Sequence, residues 1–162
     1  MYMTHQPDAI EAVARATVDW LDYREMRNLV ARNHNVSMRV TWQAMEDERR
    51  LHNLVVALGR GDAQERIAAM LLDFRGRLMH LGLSDGESYR FPMTQQQISD
   101  YLGLTVVHVN RILRKLRESG LATVQQRTVV IHDLYALVRK AEPMQDAFER
   151  SWLRFGGTEG RP

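Results

Sequence analysis

Residues 94–132 hold the pattern that most restricts how this chain can fold. Thr94 is typical of a helix N-cap, and Thr105 repeats that signal eleven positions later. Between them Gly103 can supply the left-handed residue of a tight turn. The first helix has apolar residues at Ile98, Tyr101 and Leu102, and the second has them at Val109, Ile112, Leu113 and Leu116. Two amphipathic helices joined by a glycine turn predict a helix-turn-helix.

A β-hairpin is predicted directly after the second helix. Gly120 can end the helix, and residues 122–125 and 127–131 contain alternating or β-branched side chains around Gln126-Arg127. A hairpin in this position is the wing of a winged helix-turn-helix. Its turn would carry Arg127 and Thr128 toward a nucleic-acid backbone.

The outer face of the second helix is cationic. Between Thr105 and Thr128 the chain has five basic residues (Arg111, Arg114, Lys115, Arg117, Arg127) against Glu118, or +4, although the whole chain carries only +2. A local excess of this kind attracts a polyanion. Charge alone is explained equally well by a solvated helix face, but the charge, the helix pair and the wing together favour DNA binding.

The first turns of such a helix enter the major groove, which selects the residues able to read bases. We predict Val107, Asn110 and Arg111 in this role. Arg111 can fork onto guanine, Asn110 can pair with adenine, and Val107 offers apolar contact only. The predicted contacts to the DNA backbone are Thr94, Gln96, His108, Lys115, Arg127 and Thr128. For Arg114 and Arg117, a role as solvated surface residues is as well supported as a contact to the DNA backbone.

Residues 36–58 contain neither glycine nor proline and predict a long helix with two apolar stripes. One stripe contains Met38, Trp42, Met45, His52 and Val56, interrupted by Arg49, and the other contains Leu51, Leu54, Val55 and Leu58. We expect one face to pack on its own subunit and the first stripe to form a homodimer interface; a single-chain bundle is the alternative. The predicted fold class is mainly α with a small β wing, in which a long dimerisation helix precedes the winged helix-turn-helix domain.

The chain divides into four predicted parts. The first part, residues 1–34, is expected to contain strands at 10–13 and 17–21 and a short helix after a capping box at Asp22, and to be a remnant of a sensor domain. The second, residues 35–60, is the dimerisation helix with a hinge at 59–61. The third, residues 61–142, is the DNA-binding domain, with a helix from a second capping box at Asp62 to about Leu81 and a short strand at 89–91, and the fourth, residues 143–162, is a C-terminal extension.

Composition and motifs argue against the other function classes. The absence of cysteine excludes disulfides and thiolate metal sites. The six histidines show no metal-ligand spacing, and no phosphate loop or catalytic motif is present. No apolar run is long enough for a membrane span, and no secretory signal is found. We therefore expect no enzyme, no cofactor, no metal and no membrane partner, and a cytoplasmic location.

The run MTQQQISDYLGLTVVHVNRIL over residues 93–113 resembles the DNA-binding domain of the Crp/Fnr superfamily of bacterial regulators, and GRGDAQERIA over 59–68 resembles its hinge and next helix. The resemblance extends over roughly residues 10–140. It implies a dimer formed along the long helix, with two recognition helices on a palindromic operator. By matched position it implies base reading by Val107, Asn110 and Arg111, and backbone contacts from Thr94, Gln96 and Arg127.

Two departures from that family limit the comparison. The first base-reading position is usually glutamate in its best-known members and is Val107 here. Most of the β-roll sensor domain is also missing, with its phosphate cassette and the cysteines of the oxygen-sensing branch. We therefore expect either a fragment or a naturally short regulator without a sensor, and exposed strand edges would favour a fragment.

Two functions remain open at this point. The first is a homodimeric regulator that binds double-stranded DNA, with RNA polymerase as a further candidate partner. The alternative is a protein-interaction module that pairs with a full-length regulator through the long helix and antagonises it. Operator sequence, inducing signal and the direction of regulation do not follow from the sequence.

Overall fold

A computed structural model describes residue 12 and residues 15–141 as a helical chain with one small sheet. Its elements are α1 (Tyr23–Arg32), α2 (His34–Arg60), α3 (Ala63–His80), β1 (Ser88–Arg90), α4 (Gln95–Leu102), α5 (Val106–Glu118), β2 (Ala122–Gln125) and β3 (Thr128–Ile131). Residues 134–141 are also helical. The strands form an antiparallel sheet in the order β1-β3-β2. The prediction of a mainly α fold with a small β wing is confirmed.

Side-chain caps fix where the helices begin. The Asp62 carboxylate accepts from the backbone N–H of Gln64 and Glu65 at 2.7 and 2.8 Å, and Glu65 returns to the Asp62 N–H at 2.8 Å. Thr94 and Gln97 form a second reciprocal capping box at the start of α4. These caps satisfy N–H groups that a helix leaves without partners. The two helix starts that the sequence predicts at Asp62 and Thr94 are therefore confirmed.

The long helix ends within the glycine-containing segment 59–61. α2 has 27 residues and passes through Gly59 before it ends at Arg60, with Gly61 as its C-cap. The Gly61 N–H still donates to the Ala57 carbonyl at 2.9 Å. One glycine inside a helix costs only about 1 kcal/mol, which the neighbouring hydrogen bonds offset. The helix therefore ends within the segment 59–61 where the sequence predicts the break, and the change of direction occurs at Gly61.

The strand predicted at Thr17–Leu21 is also wrong. Residues 15–21 have no regular secondary structure, and all of them are exposed. A lone strand cannot satisfy its backbone, and no strand within the described residues pairs with this segment. The strand predicted at 10–13 falls almost wholly outside the described residues, and the extension at 143–162 falls outside them completely.

The core lies where α3, α4 and α5 meet the sheet. It is built from the inner faces of these elements (Ile67, Leu71, Phe91, Ile98, Leu102, Val109, Leu116, Val129). The Tyr89 hydroxyl reaches across it and donates to the Leu71 carbonyl at 2.7 Å, and burial raises the pKa of that phenol. The helix at 134–141, which the sequence did not predict, closes the core with Leu137 and Ala141. The apolar stripe of α5 is thus buried within this core.

The contact between α2 and α3 combines an ion pair with apolar packing. Arg50 lies 3.9 Å from Asp73 on α3 and 3.0 Å from Asp47 on its own helix. Beside it, the hydrogen bond from Arg49 lowers the pKa of Glu46, with a further contribution from the charges of Arg49 and Arg50. Only Ala57 is fully buried on α2, and Leu54 packs against the core.

Both apolar stripes of α2 are therefore left largely on the surface. Leu51, Val55 and Leu58 are exposed, so the expectation that one apolar stripe packs on its own subunit holds only for Leu54. The reason is that the charged side of α2 faces α3, since Arg50 pairs with Asp73 there. None of the helices in the described part of the chain is both long and apolar enough to cross a membrane.

Candidate nucleic-acid interface

The exposed face of α5 collects the three predicted base-reading residues. Its apolar stripe is buried, and 79% of the Val107 side chain is exposed on the opposite side. Arg111 is exposed and Asn110 is half-buried beside it. Positions i, i+3 and i+4 share one helix face, so the three side chains form a continuous surface at the first turns of α5.

The turn between α4 and α5 fixes how far that surface projects. Gly103 has φ 62° and ψ 39°, a left-handed conformation that favours glycine. Leu104 packs against the core, and its N–H donates to the Ser99 carbonyl at 2.9 Å. On the other side of the turn, the Thr105 hydroxyl caps α5 by accepting from the His108 N–H at 3.2 Å. The turn is therefore determined by hydrogen bonds at both helix ends.

Arg66 braces this unit, and sequence reasoning missed it. Its Nη1 donates to the Leu102 carbonyl at 3.2 Å, at the end of α4, and its Nε donates to the Gly61 carbonyl at 2.9 Å. A carbonyl at a helix end has no partner within the helix, so a guanidinium is well suited to it. Position 66 lies within the segment that resembles the Crp/Fnr hinge, which was the one signal available for it.

The wing has an unusual turn. Gln126 and Arg127 have φ values of 49° and 58°, and they connect paired residues Gln125 and Thr128 of β2 and β3. Two-residue hairpin turns with two positive φ angles are normally Asn-Gly, because side chains with a Cβ are strained there. Strain that persists in a fold often indicates a functional side chain. Arg127 is exposed at this turn.

Of the other predicted backbone contacts, Lys115 is exposed on α5 and Thr128 is half-buried in β3. Thr94 is exposed at the N-cap of α4, where its oxygen accepts from the Gln97 N–H at 3.2 Å, which leaves its own O–H free to donate. Gln96 is exposed, and its side-chain amide donates to the Asp100 carboxylate at 2.8 Å and to the Ser99 hydroxyl at 3.3 Å. His108 contacts Arg111, with 3.0 Å between Nε2 and Nη2.

Strand pairing adds a cation that the sequence reasoning did not single out. Arg90 ends β1 directly opposite Thr128, one residue from the wing turn, and it is exposed. The Phe91 N–H donates to the Arg127 carbonyl at 2.8 Å, which ties β1 to that turn. Strand pairing therefore places Arg90 beside the wing turn, a neighbour relation that only the sheet topology reveals.

The Crp-like helix-turn-helix domain matches residues 65–140. The chain is 35% identical over 85 residues to the anaerobic regulatory protein of Pasteurella multocida, covering 52% of this chain and 31% of that protein. It is 26% identical over 137 residues to the fumarate and nitrate reduction regulatory protein of Escherichia coli, covering 85% and 54%.

The fold is also similar to a solved structure, that of FixK2 from Bradyrhizobium japonicum. The TM-score is 0.62 at 26% identity, over 72% of this chain and 57% of that one. The chain spans about half, or less, of the length of these relatives. The two curated relatives are named as regulatory proteins, not enzymes. Residues 65–140 of this chain are therefore similar to the Crp-like helix-turn-helix domain.

Proposed function

We propose that the chain is a sequence-specific DNA-binding transcription regulator that acts as a homodimer on a palindromic operator. The observation that carries this proposal is the exposed α5 face of Val107, Asn110 and Arg111 beside the Arg127 turn of the wing. The names of the two curated relatives support a regulatory role. RNA polymerase remains a predicted partner to which we assign no residues.

DNA binding would use α5 and the wing for different purposes. The first turns of α5 would lie in the major groove, where Arg111 can donate to base edges and Asn110 can both donate and accept. Arg90, Lys115 and Arg127 would contact phosphates, which fix position without reading sequence. The N-cap hydrogen bonds and Arg66 would hold α5 rigid, so DNA binding would lose little conformational entropy.

Selection of DNA by the full chain tests the proposal. A duplex pool with a randomised core of about 20 base pairs would be enriched on the protein and sequenced. We expect a consensus of two inverted half-sites separated by about one helical turn, because two-fold symmetric dimers read symmetric sites. Recovery of no consensus, with equal affinity for all duplexes, would contradict sequence-specific binding.

The dimer is proposed to form along the first apolar stripe of α2. Met38, Trp42 and Met45 are exposed in the single chain, Met45 by 57%, and a row of large apolar side chains favours a partner helix. His52 is exposed and Val56 half-buried on the same stripe. Trp42 also lines a cleft of about 570 Å³ between α2 and α3, so it lies on the side of the stripe nearest to α3.

Met45→Glu is expected to shift the protein toward monomer, because it places a charge in the apolar contact. We expect the dimer dissociation constant from sedimentation equilibrium to rise at least tenfold, which corresponds to about 1.4 kcal/mol. Gln43→Glu is the matched control, since it adds the same charge outside the stripe, where Gln43 pairs with Asp47. Equal association of both variants and wild type would place the interface elsewhere.

The antagonist alternative uses the same exposed stripe. It predicts that the chain pairs preferentially with a full-length regulator and binds little DNA alone. Mixing the chain with a full-length Crp/Fnr relative and measuring mixed dimers distinguishes the two functions, because a true homodimeric regulator binds its selected duplex without any partner.

The strained wing turn provides a test of the backbone contacts. Arg127→Gly is expected to raise the free energy of unfolding by about 1 kcal/mol, since glycine adopts its φ of 58° without strain. The same change is expected to weaken binding to every duplex alike and to lower the salt dependence by about one phosphate contact. Urea unfolding and duplex titration at several salt concentrations measure the two effects.

Gln126→Gly is the control for that variant. Its φ of 49° predicts a similar gain in stability, but it removes no charge. We expect its DNA affinity to stay within about twofold of wild type, as is usual for surface changes. If Arg127→Gly and Gln126→Gly bind DNA equally well, Arg127 is not a backbone contact.

A further inference from the structure

The contact between His108 and Arg111 points to a role for His108 that differs from a contact to DNA phosphates. The two residues lie one helical turn apart on α5, with His108 Nε2 and Arg111 Nη2 separated by 3.0 Å. Arginine nitrogens only donate hydrogen bonds, so the Nε2 atom must accept and the imidazole proton must reside on Nδ1. The Nε2 atom of His108 is therefore engaged by Arg111.

The bond acts on a side chain that otherwise has great freedom. An exposed arginine loses up to about 2 kcal/mol of rotamer entropy when it is fixed in one geometry. His108 is half-buried whereas Arg111 is exposed, so the imidazole has less conformational freedom than the guanidinium. An arginine that is already aligned before it meets a guanine pays less of that entropy on binding.

We infer that His108 is a positioning residue that sets base specificity through Arg111. This inference rests on the proposed function, because it needs α5 to read DNA. Since Arg111 uses one hydrogen of Nη2 for His108, the second Nη2 hydrogen and Nη1 are available for the two acceptors of a guanine. His108 thus favours the fork geometry of Arg111 over the other orientations that this side chain can adopt.

The test uses the full chain, the duplex selected by the wild type and duplexes that carry single base-pair changes from it. The base pair read by Arg111 is the one at which Arg111→Ala loses discrimination. His108→Ala is expected to lower discrimination at that same base pair about three- to tenfold, the value of one hydrogen bond. Affinity for an unrelated duplex should change by less than about twofold.

Two further variants separate positioning from a merely structural effect. His108→Gln retains an acceptor at similar reach and is expected to restore most of the discrimination. In the Arg111→Ala background, His108→Ala should cause no additional loss, because the two residues act as a unit. His132→Ala is the matched control, since His132 contacts Thr123 at 2.8 Å in the wing hairpin and should leave discrimination unchanged.

The possible results have distinct meanings. An equal loss on all duplexes would make His108 a backbone contact and overturn the inference, and so would unchanged discrimination in His108→Ala. Either result leaves DNA binding intact. A wild-type chain that selects no consensus overturns the proposed function and this inference together.

Discussion

Arg111→Ala is expected to cost about 1–3 kcal/mol of discrimination at one base pair of each half-site, the usual value of a bidentate arginine–guanine pair. The expected loss is confined to that base pair, because Arg111 lies exposed in the second turn of α5 with its guanidinium available to a groove. Titration of the selected duplex and of its single base-pair variants measures the effect. The chain should keep its fold, since an exposed side chain contributes little to stability.

Arg117→Ala is the matched control for that variant. It removes the same charge from the same helix, but Arg117 lies about two turns beyond Asn110, at the C-terminal end of α5. We expect a small and uniform decrease in affinity, or none. If both variants lose the same affinity on every duplex, Arg111 is a backbone contact and the assignment of the reading face is wrong.

Phe91→Ala is expected to lower the free energy of unfolding by about 3–5 kcal/mol, the cost of removing a phenyl ring from a packed core. Phe91 is 0% exposed, and its ring packs edge-on against Phe74 with 5.0 Å between centroids. A small domain has only about 5–15 kcal/mol of stability in total, so this loss brings the protein near unfolding at 37 °C. Urea denaturation followed by circular dichroism measures it.

Leu83→Ala is the control for the Phe91 variant. Leu83 is a large apolar residue in the loop before β1, but 63% of it is exposed, and its truncation should change stability by less than about 0.5 kcal/mol. A Phe91→Ala protein whose stability lies within about 1 kcal/mol of wild type would contradict the core described above.

The sequence predicted the helix-turn-helix well because its signals are local. Threonine caps, a left-handed glycine and an apolar repeat each act within a few residues, and the structure has α4, Gly103 and α5 where these signals place them. The wing hairpin follows from the same kind of local pattern. The three predicted base-reading residues share one face for the same reason, although their role in DNA binding stays a prediction.

Features that depend on distant residues could not be found in this way. The pairing of β1 with β3 brings Arg90 beside the wing, and no local pattern encodes which strand lies next to which. The side of α2 that faces α3 carries Arg50 as well as Leu54, so apolar periodicity alone did not show which residues of α2 the rest of the chain would cover. The strand expected at 17–21 failed because propensity alone cannot supply a pairing partner.

The two hydrogen bonds of Arg66 have a consequence for how a signal would travel. The Arg66 guanidinium donates to the Gly61 carbonyl at the end of the long helix and to the Leu102 carbonyl at the end of α4. These two points therefore cannot rotate independently without breaking a hydrogen bond. A rotation of α2 about its axis would therefore be transmitted through Arg66 to α4 and α5, with the change of direction at Gly61.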